Sequence, residues 1–170
     1  IEAAADKRDA GRLTEFVLLR ARRAEQLAGQ SPLAALREGS LERALGLARR
    51  LDAQGLISRA LTYRGTARSF SGDRDGLDDL SEALEIAESS GSSQDSALAL
   101  LVRAEVEWAN DGPTVALETV RAGRDLAERR GLMDMVFFFD ALSLGALFDL
   151  GSWDELLQVA DDIVRGSQQV

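Results

Sequence analysis

Gly72-Asp73-Arg74-Asp75-Gly76-Leu77-Asp78-Asp79-Leu80-Ser81-Glu82-Ala83-Leu84-Glu85-Ile86-Ala87-Glu88-Ser89-Ser90-Gly91 is the stretch that decides the fold. Leu77, Leu80, Leu84 and Ala87 fall at i, i+3, i+7 and i+10, one stripe of a helix. Asp78, Asp79, Glu82 and Glu85 lie off that stripe and are expected to face solvent. Adjacent carboxylates such as Asp78-Asp79 and Asp161-Asp162 diverge by about 100° on a helix, so neither pair converges on a substrate bond. Glycines bracket the stretch as turn or C-terminal cap residues would, and Asp73 is a candidate N-cap.

The pattern returns. Gly112, Leu117, Val120, Gly123, Leu126, Ala127 and Gly131 occupy matching places 40 residues later, and Gly151, Leu156 and Val159 follow at an offset of 39. Upstream, Leu41, Ala44, Leu45, Leu47 and Ala48 precede Leu80, Ala83, Leu84, Ile86 and Ala87 by 39. Between these copies Leu61, Arg64, Gly65 and Phe70 recur as Leu100, Arg103, Ala104 and Ala109. Self-similarity at this period is the signature of stacked helix hairpins, each burying its apolar face on a neighbour.

Gly55, Gly72, Gly91, Gly112, Gly131 and Gly151 punctuate the chain, Ser152 is a second candidate N-cap, and Pro113 suits a first helical turn. Helices are predicted near 6–29, 40–54, 56–71, 74–90, 94–110, 113–130, 132–150 and 152–165, with a short helical turn over 31–37. Gly11, Gly46, Gly65, Gly123 and Gly145 lie inside these helices, each costing about 1 kcal/mol against Ala, and are expected at close helix crossings. The expected fold is all-α: a right-handed α-solenoid of antiparallel helix hairpins, about eight helices in one domain over 1–170. Its parts are an N-terminal helical section (1–39), the repeats (40–165) and a tail (166–170). A start at Ile1 rather than Met reads as a piece of a longer protein or a chain with a disordered start.

Composition narrows the chemistry. The 170 residues contain no His and no Cys, which removes Ser-His-Asp triads, cysteine nucleophiles, disulfides and the usual zinc sites. Asp73, Asp75 and Gly76 faintly resemble a calcium loop, but its twelfth position is Leu84 rather than a bidentate Glu. No phosphate-binding Gly-rich loop with Lys is present, the single Lys being Lys7. The expectation is no enzyme, with no catalytic, cofactor-binding or metal-binding residue and no cofactor. The most apolar stretch, Leu132 to Leu150, carries Asp134, Asp140 and Asp149, so no membrane span is expected and the location is read as cytoplasmic.

Net charge is −9 but uneven: residues 1–70 hold 13 basic and 8 acidic side chains, residues 71–170 hold 7 and 21. Two readings stand, a polarity that sorts partners along the solenoid or solvated helix faces. Arg20, Arg22 and Arg23 form the densest basic cluster, with only Phe16 near it, so direct nucleic-acid binding is not expected. Phe137, Phe138 and Phe139 point three ways on one helix. Either flanking helices sandwich all three, or one or two line a groove or interface.

The pattern of Gly72 to Gly91 resembles a tetratricopeptide-type repeat, whose standard period is about 34 residues. The longer repeat here is similar to the helical sensor or scaffold region of bacterial ATP-binding LuxR-type regulators and of actinobacterial ATPase-linked nucleotide cyclases. Leu150-Gly151-Ser152-Trp153-Asp154-Glu155-Leu156-Leu157 is similar to the Leu-Gly-x-Trp-Asp-Glu-Ala segment of such arrays, with Leu156 in the place of Ala. The resemblance implies a sensing or scaffolding role in bacterial signalling or transcription regulation.

The function expected is therefore a non-catalytic protein–protein interaction scaffold. Its partner would be a protein, a peptide or adjacent domains of the same chain, docking on the first helix of each pair. The groove residues expected there are Tyr63, Arg64, Arg103, Glu107, Trp108 and Phe138, with Arg64 and Arg103 attracting carboxylates. The alternative is self-association as a homodimer through Leu156, Val159 and Ile163. A small-ligand sensor is the more distant reading.

Overall fold

The structure is a computed structural model describing residues 39–167, and all regular secondary structure among them is helical. Seven helices follow one another: α1 (Ser40–Arg50), α2 (Gln54–Phe70), α3 (Gly76–Ser89), α4 (Ser93–Asp111), α5 (Pro113–Arg129), α6 (Met133–Leu150) and α7 (Trp153–Ser167). The predicted helix at 6–29, the turn at 31–37, Gly11 and the cluster Arg20, Arg22 and Arg23 lie outside the described residues.

Six of the predicted helices match within two residues at both ends, and two of the shifts have identifiable reasons. The predicted helix 40–54 stops at Arg50 because Asp52, at φ 51°, takes the left-handed position expected of Gly55. Asp is among the few residues other than Gly that tolerate that conformation. Gly55 instead lies within α2, beside the Asp95 carboxylate. The predicted start at 74 moves to Gly76 because Asp73, Arg74 and Asp75 form a turn, in which the Asp73 carboxylate accepts the Asp75 N–H at 3.0 Å.

Helix ends share one device. A left-handed residue at Asp52, Gly72, Gly91, Gly131 and Gly151 is followed by an N–H reaching back five residues. Ala53, Asp73, Ser92, Leu132 and Ser152 thus donate to the carbonyls of Ala48, Arg68, Ala87, Ala127 and Leu147. These bonds satisfy carbonyls that a helix terminus leaves orphaned.

The chain divides into two compact units at Ala99 and Leu100, inside α4. In the first, α2 lies antiparallel to α3, since partner numbers fall on α3 as they rise on α2. Ser58 meets Ala83, Arg64 meets Asp79 and Arg68 meets Asp75. The core joins Leu45 and Ala48 of α1, Ile57, Ala60 and Leu61 of α2, Ala83 of α3 and Ala99 of α4. A fully buried leucine such as Leu61 contributes about 2 kcal/mol. Gly65 allows the α2–α3 approach, because a Cβ there would stand 2.6 Å from the Gly76 carbonyl oxygen.

In the second unit α5 packs on α6, and α6 on α7. Leu117, Ala146 and Leu147 form a core that Trp108, Leu156 and Val159 flank. Gly123 lies under the Phe139 ring and Gly145 under the Trp108 indole, each leaving no room for a Cβ.

The repeat template marks the buried positions. Leu41, Leu80 and Val120 are equivalent and buried, as are Ala44, Ala83 and Gly123, and Ala48, Ala87 and Ala127. Of the interior glycines expected at close crossings, Gly65, Gly123 and Gly145 are there, whereas a Cβ at Gly46 would meet nothing within 4 Å among the described residues. The two kinds should respond to alanine with opposite sign. Gly123→Ala should lower stability by about 1–3 kcal/mol through overpacking. Gly46→Ala should raise it by about 0.5–1 kcal/mol through helix propensity. Urea unfolding followed by circular dichroism reads both.

Candidate functional site

The residues expected to bind a partner are mostly engaged within the chain. Arg64 donates from Nε and Nη2 to the two Asp79 oxygens at 2.8 and 2.6 Å. Asp79 is only 4% exposed, so the expectation that it faces solvent is overturned. A stripe on one helix carries no information about its neighbour, and α2 covers that side of α3. Arg68 closes the cluster, reaching Asp79 at 3.3 Å, Asp73 at 2.7 Å and Asp75 at 3.1 Å. Bidentate charge-assisted bonds of this kind offset the cost of burying a carboxylate. The hydrogen bonds that Arg64 donates to Asp79 raise the Arg64 pKa against the opposing effect of burial.

The next repeat closes its hairpin differently. Arg103 donates to Glu107 at 2.7 Å, and the other Glu107 oxygen accepts the Thr119 hydroxyl at 2.5 Å. Arg103 and Thr119 are the repeat equivalents of Arg64 and Asp79. A threonine carries no charge to pair with a guanidinium, and Glu107, 5% exposed, bridges the two. A third buried carboxylate, Asp140, accepts from Arg124 of α5 at 2.6 Å. The carboxylates that Arg64 and Arg103 were expected to draw from a partner are thus supplied by the chain itself.

Tyr63 is half-buried against Leu41 and Ala67. The Trp108 indole N–H donates to Asp149 at 3.1 Å, with its ring over Gly145. Phe138 alone of the six is open, at 51% exposure, its ring edge-on to Phe137 with centroids 6.1 Å apart. The structure thus engages Arg64, Arg103, Glu107 and Trp108 within their own units and leaves Phe138 alone largely exposed.

It gathers a different set. Met133, Phe137, Phe138 and Phe148 on α6 are each more than half exposed, as is Trp153 at the start of α7. Phe148 and Trp153 meet edge to face at 5.3 Å, joining the two helices. Phe139 is fully buried, so flanking helices do not sandwich the whole Phe triplet. The signal for Phe148 was its distance from Phe137: eleven residues are about three helical turns, which returns to the same face. On α7, Leu156 and Val159, expected to serve a second copy, pack on the unit's own core, while Leu157 and Val164 face outward.

Among the described residues no group of His, Cys, Asp and Glu could hold a metal ion, and no helix is long and apolar enough to cross a membrane. No protein-family model, curated protein or solved structure matches the chain.

Two outcomes check the polar cluster. Asp79→Ala should cost about 3 kcal/mol by leaving Arg64 in the interior without its carboxylate. Asp78→Ala, at the exposed neighbouring position, should change stability by under about 0.5 kcal/mol in the same denaturation assay. The Arg68 guanidinium, followed by the Asp75 N–H, holds the Asp73 carboxyl below its ordinary pKa. A depressed carboxylate stabilises the fold above its unfolded pKa, and that stability is lost as pH falls through the folded value. An NMR titration should show Asp73 protonating below the usual aspartate range, and Arg68→Gln should move it back up.

Proposed function

We propose that this chain is a non-catalytic interaction module, a tetratricopeptide-like stack of helix hairpins that docks a partner protein on the outward face of α6. One observation carries the proposal: α6 is apolar nearly all round yet keeps Met133, Phe137, Phe138 and Phe148 in solvent. A helix of that composition is ordinarily buried on every side, and large apolar side chains left exposed along one mark an interaction surface. Exposed aromatics are also the residue types that dominate protein interfaces.

The solenoid reading draws support from helices that touch the next but one. Arg59 of α2 pairs with Asp95 of α4 at 2.6 Å, and Trp108 of α4 covers Gly145 of α6. A role in a bacterial signalling or transcription-regulatory protein, in the cytoplasm, rests on the resemblance of residues 72–91 and 150–157. Placing the contact on α6 revises the groove centred on Arg64 and Arg103, whose guanidinium groups already have carboxylate partners.

A photo-crosslinking amino acid at position 138 in living cells should join the chain to another polypeptide, whereas the same group at exposed Glu118 should not. A chain that stays uncrosslinked from position 138 would contradict the reading. Crosslinks solely to a second copy would replace it with self-association.

A further inference from the structure

We infer that the α6 face receives a cationic amphipathic helix, an inference that rests on the docking role proposed for that face. The argument is charge complementarity around an apolar stripe. From Met133 to Ser167, α6 and α7 carry seven acidic residues and one basic residue. Asp140 is matched by Arg124, Glu155 by Arg121 and Asp162 by Arg165. Asp134, Asp149, Asp154 and Asp161 then stand outside any ion pair among the described residues, all of them exposed.

Their placement follows the aromatics. Asp134 and Phe138 are four residues apart on one face of α6, Asp149 lies about 100° round that helix from Phe148, and Asp154, about 100° from Trp153 on α7, shares a face with Asp161 seven residues on. The face therefore offers apolar contact flanked by uncompensated negative charge. Phe137 and Phe148 are about 16 Å apart along the helix axis, the length over which a partner helix presents about three turns. A helix with a Leu or Phe stripe flanked by Lys or Arg satisfies both features, as in helix-in-groove recognition. A second copy would bring like charges together, and an anionic lipid surface would be repelled, so neither fits as well.

The test uses three fluorescein-labelled peptides of α6's length, 18 residues, sharing one leucine stripe and carrying Lys, Gln or Glu on the remaining face. Anisotropy titration with the full chain should show the Lys peptide binding about tenfold more tightly than the Gln peptide, a difference of one decade in Kd, with the Glu peptide weakest. That advantage should vanish between about 0.01 and 1 M salt, as the screening length falls from about 30 to 3 Å. Phe137→Ser with Phe148→Ser should abolish binding of both the Lys and the Gln peptide while circular dichroism shows the fold intact. Asp134→Asn, Asp154→Asn and Asp161→Asn together should remove only the preference for Lys.

Equal binding of the Lys and Gln peptides would overturn the cationic partner and leave the docking face standing. Failure of all three peptides would overturn both. Lys-peptide binding that survives the double Phe substitution would overturn the inference by showing charge attraction without the aromatic face. Co-sedimentation of the chain with phosphatidylcholine vesicles containing phosphatidylglycerol, lost in the double Phe variant, would overturn it in favour of a lipid surface.

Discussion

Small residues at fixed repeat positions let neighbouring helices approach until backbone meets side chain, and the other features of the structure follow from that closeness. Ala44, Ala83 and Gly123 hold one such position, and Ala48, Ala87 and Ala127 another. Protein interiors are packed like organic crystals, so an extra methyl at such a place has nowhere to go. The tightness even seals the Ser69 hydroxyl beside Gly76 with no hydrogen-bond partner among the described residues. An unsatisfied buried hydroxyl costs about 1–3 kcal/mol, which the approach of α2 and α3 must outweigh.

Close packing also determines where the charge goes. A carboxylate at a helix crossing cannot stay hydrated, and an isolated buried charge is too costly to persist. Asp79, Glu107 and Asp140 therefore each meet an arginine, whose planar fork suits a confined carboxylate better than a lysine ammonium would. The abundance of arginine acquires a structural role at these crossings. It fastens hairpins, and the exposed aromatic side of α6 carries acidic residues that stand outside these pairs.

Much of the fold was legible from the sequence because helix packing writes itself into periodicity. The template of residues 72–91 located the buried positions of three repeats, and the glycine spacing located most helix ends. Asp52 escaped because its left-handed conformation depends on local backbone bonding that residue type alone rarely reveals. Asp79 escaped for another reason. A stripe read on one helix says nothing of the neighbour across the turn, although Arg64 and Asp79 stand eight and seven residues either side of Gly72, as partners in a hairpin must. The Arg103 and Glu107 pair, four residues apart on one helix, was readable as a pair, and its burial was not. The Phe triplet left two arrangements open, since periodicity shows how far side chains diverge and not which sides are covered.

Hydroxyl-radical footprinting of the isolated chain, resolved residue by residue by mass spectrometry, tests most directly whether α6 holds an aromatic face open to a partner. The account predicts rapid labelling of Phe137, Phe138, Phe148 and Trp153 and protection of Phe139, which lies sealed over Gly123. Protection of Phe137, Phe138 and Phe148 to the same degree as Phe139 would contradict it, because the face would already be covered by the chain itself.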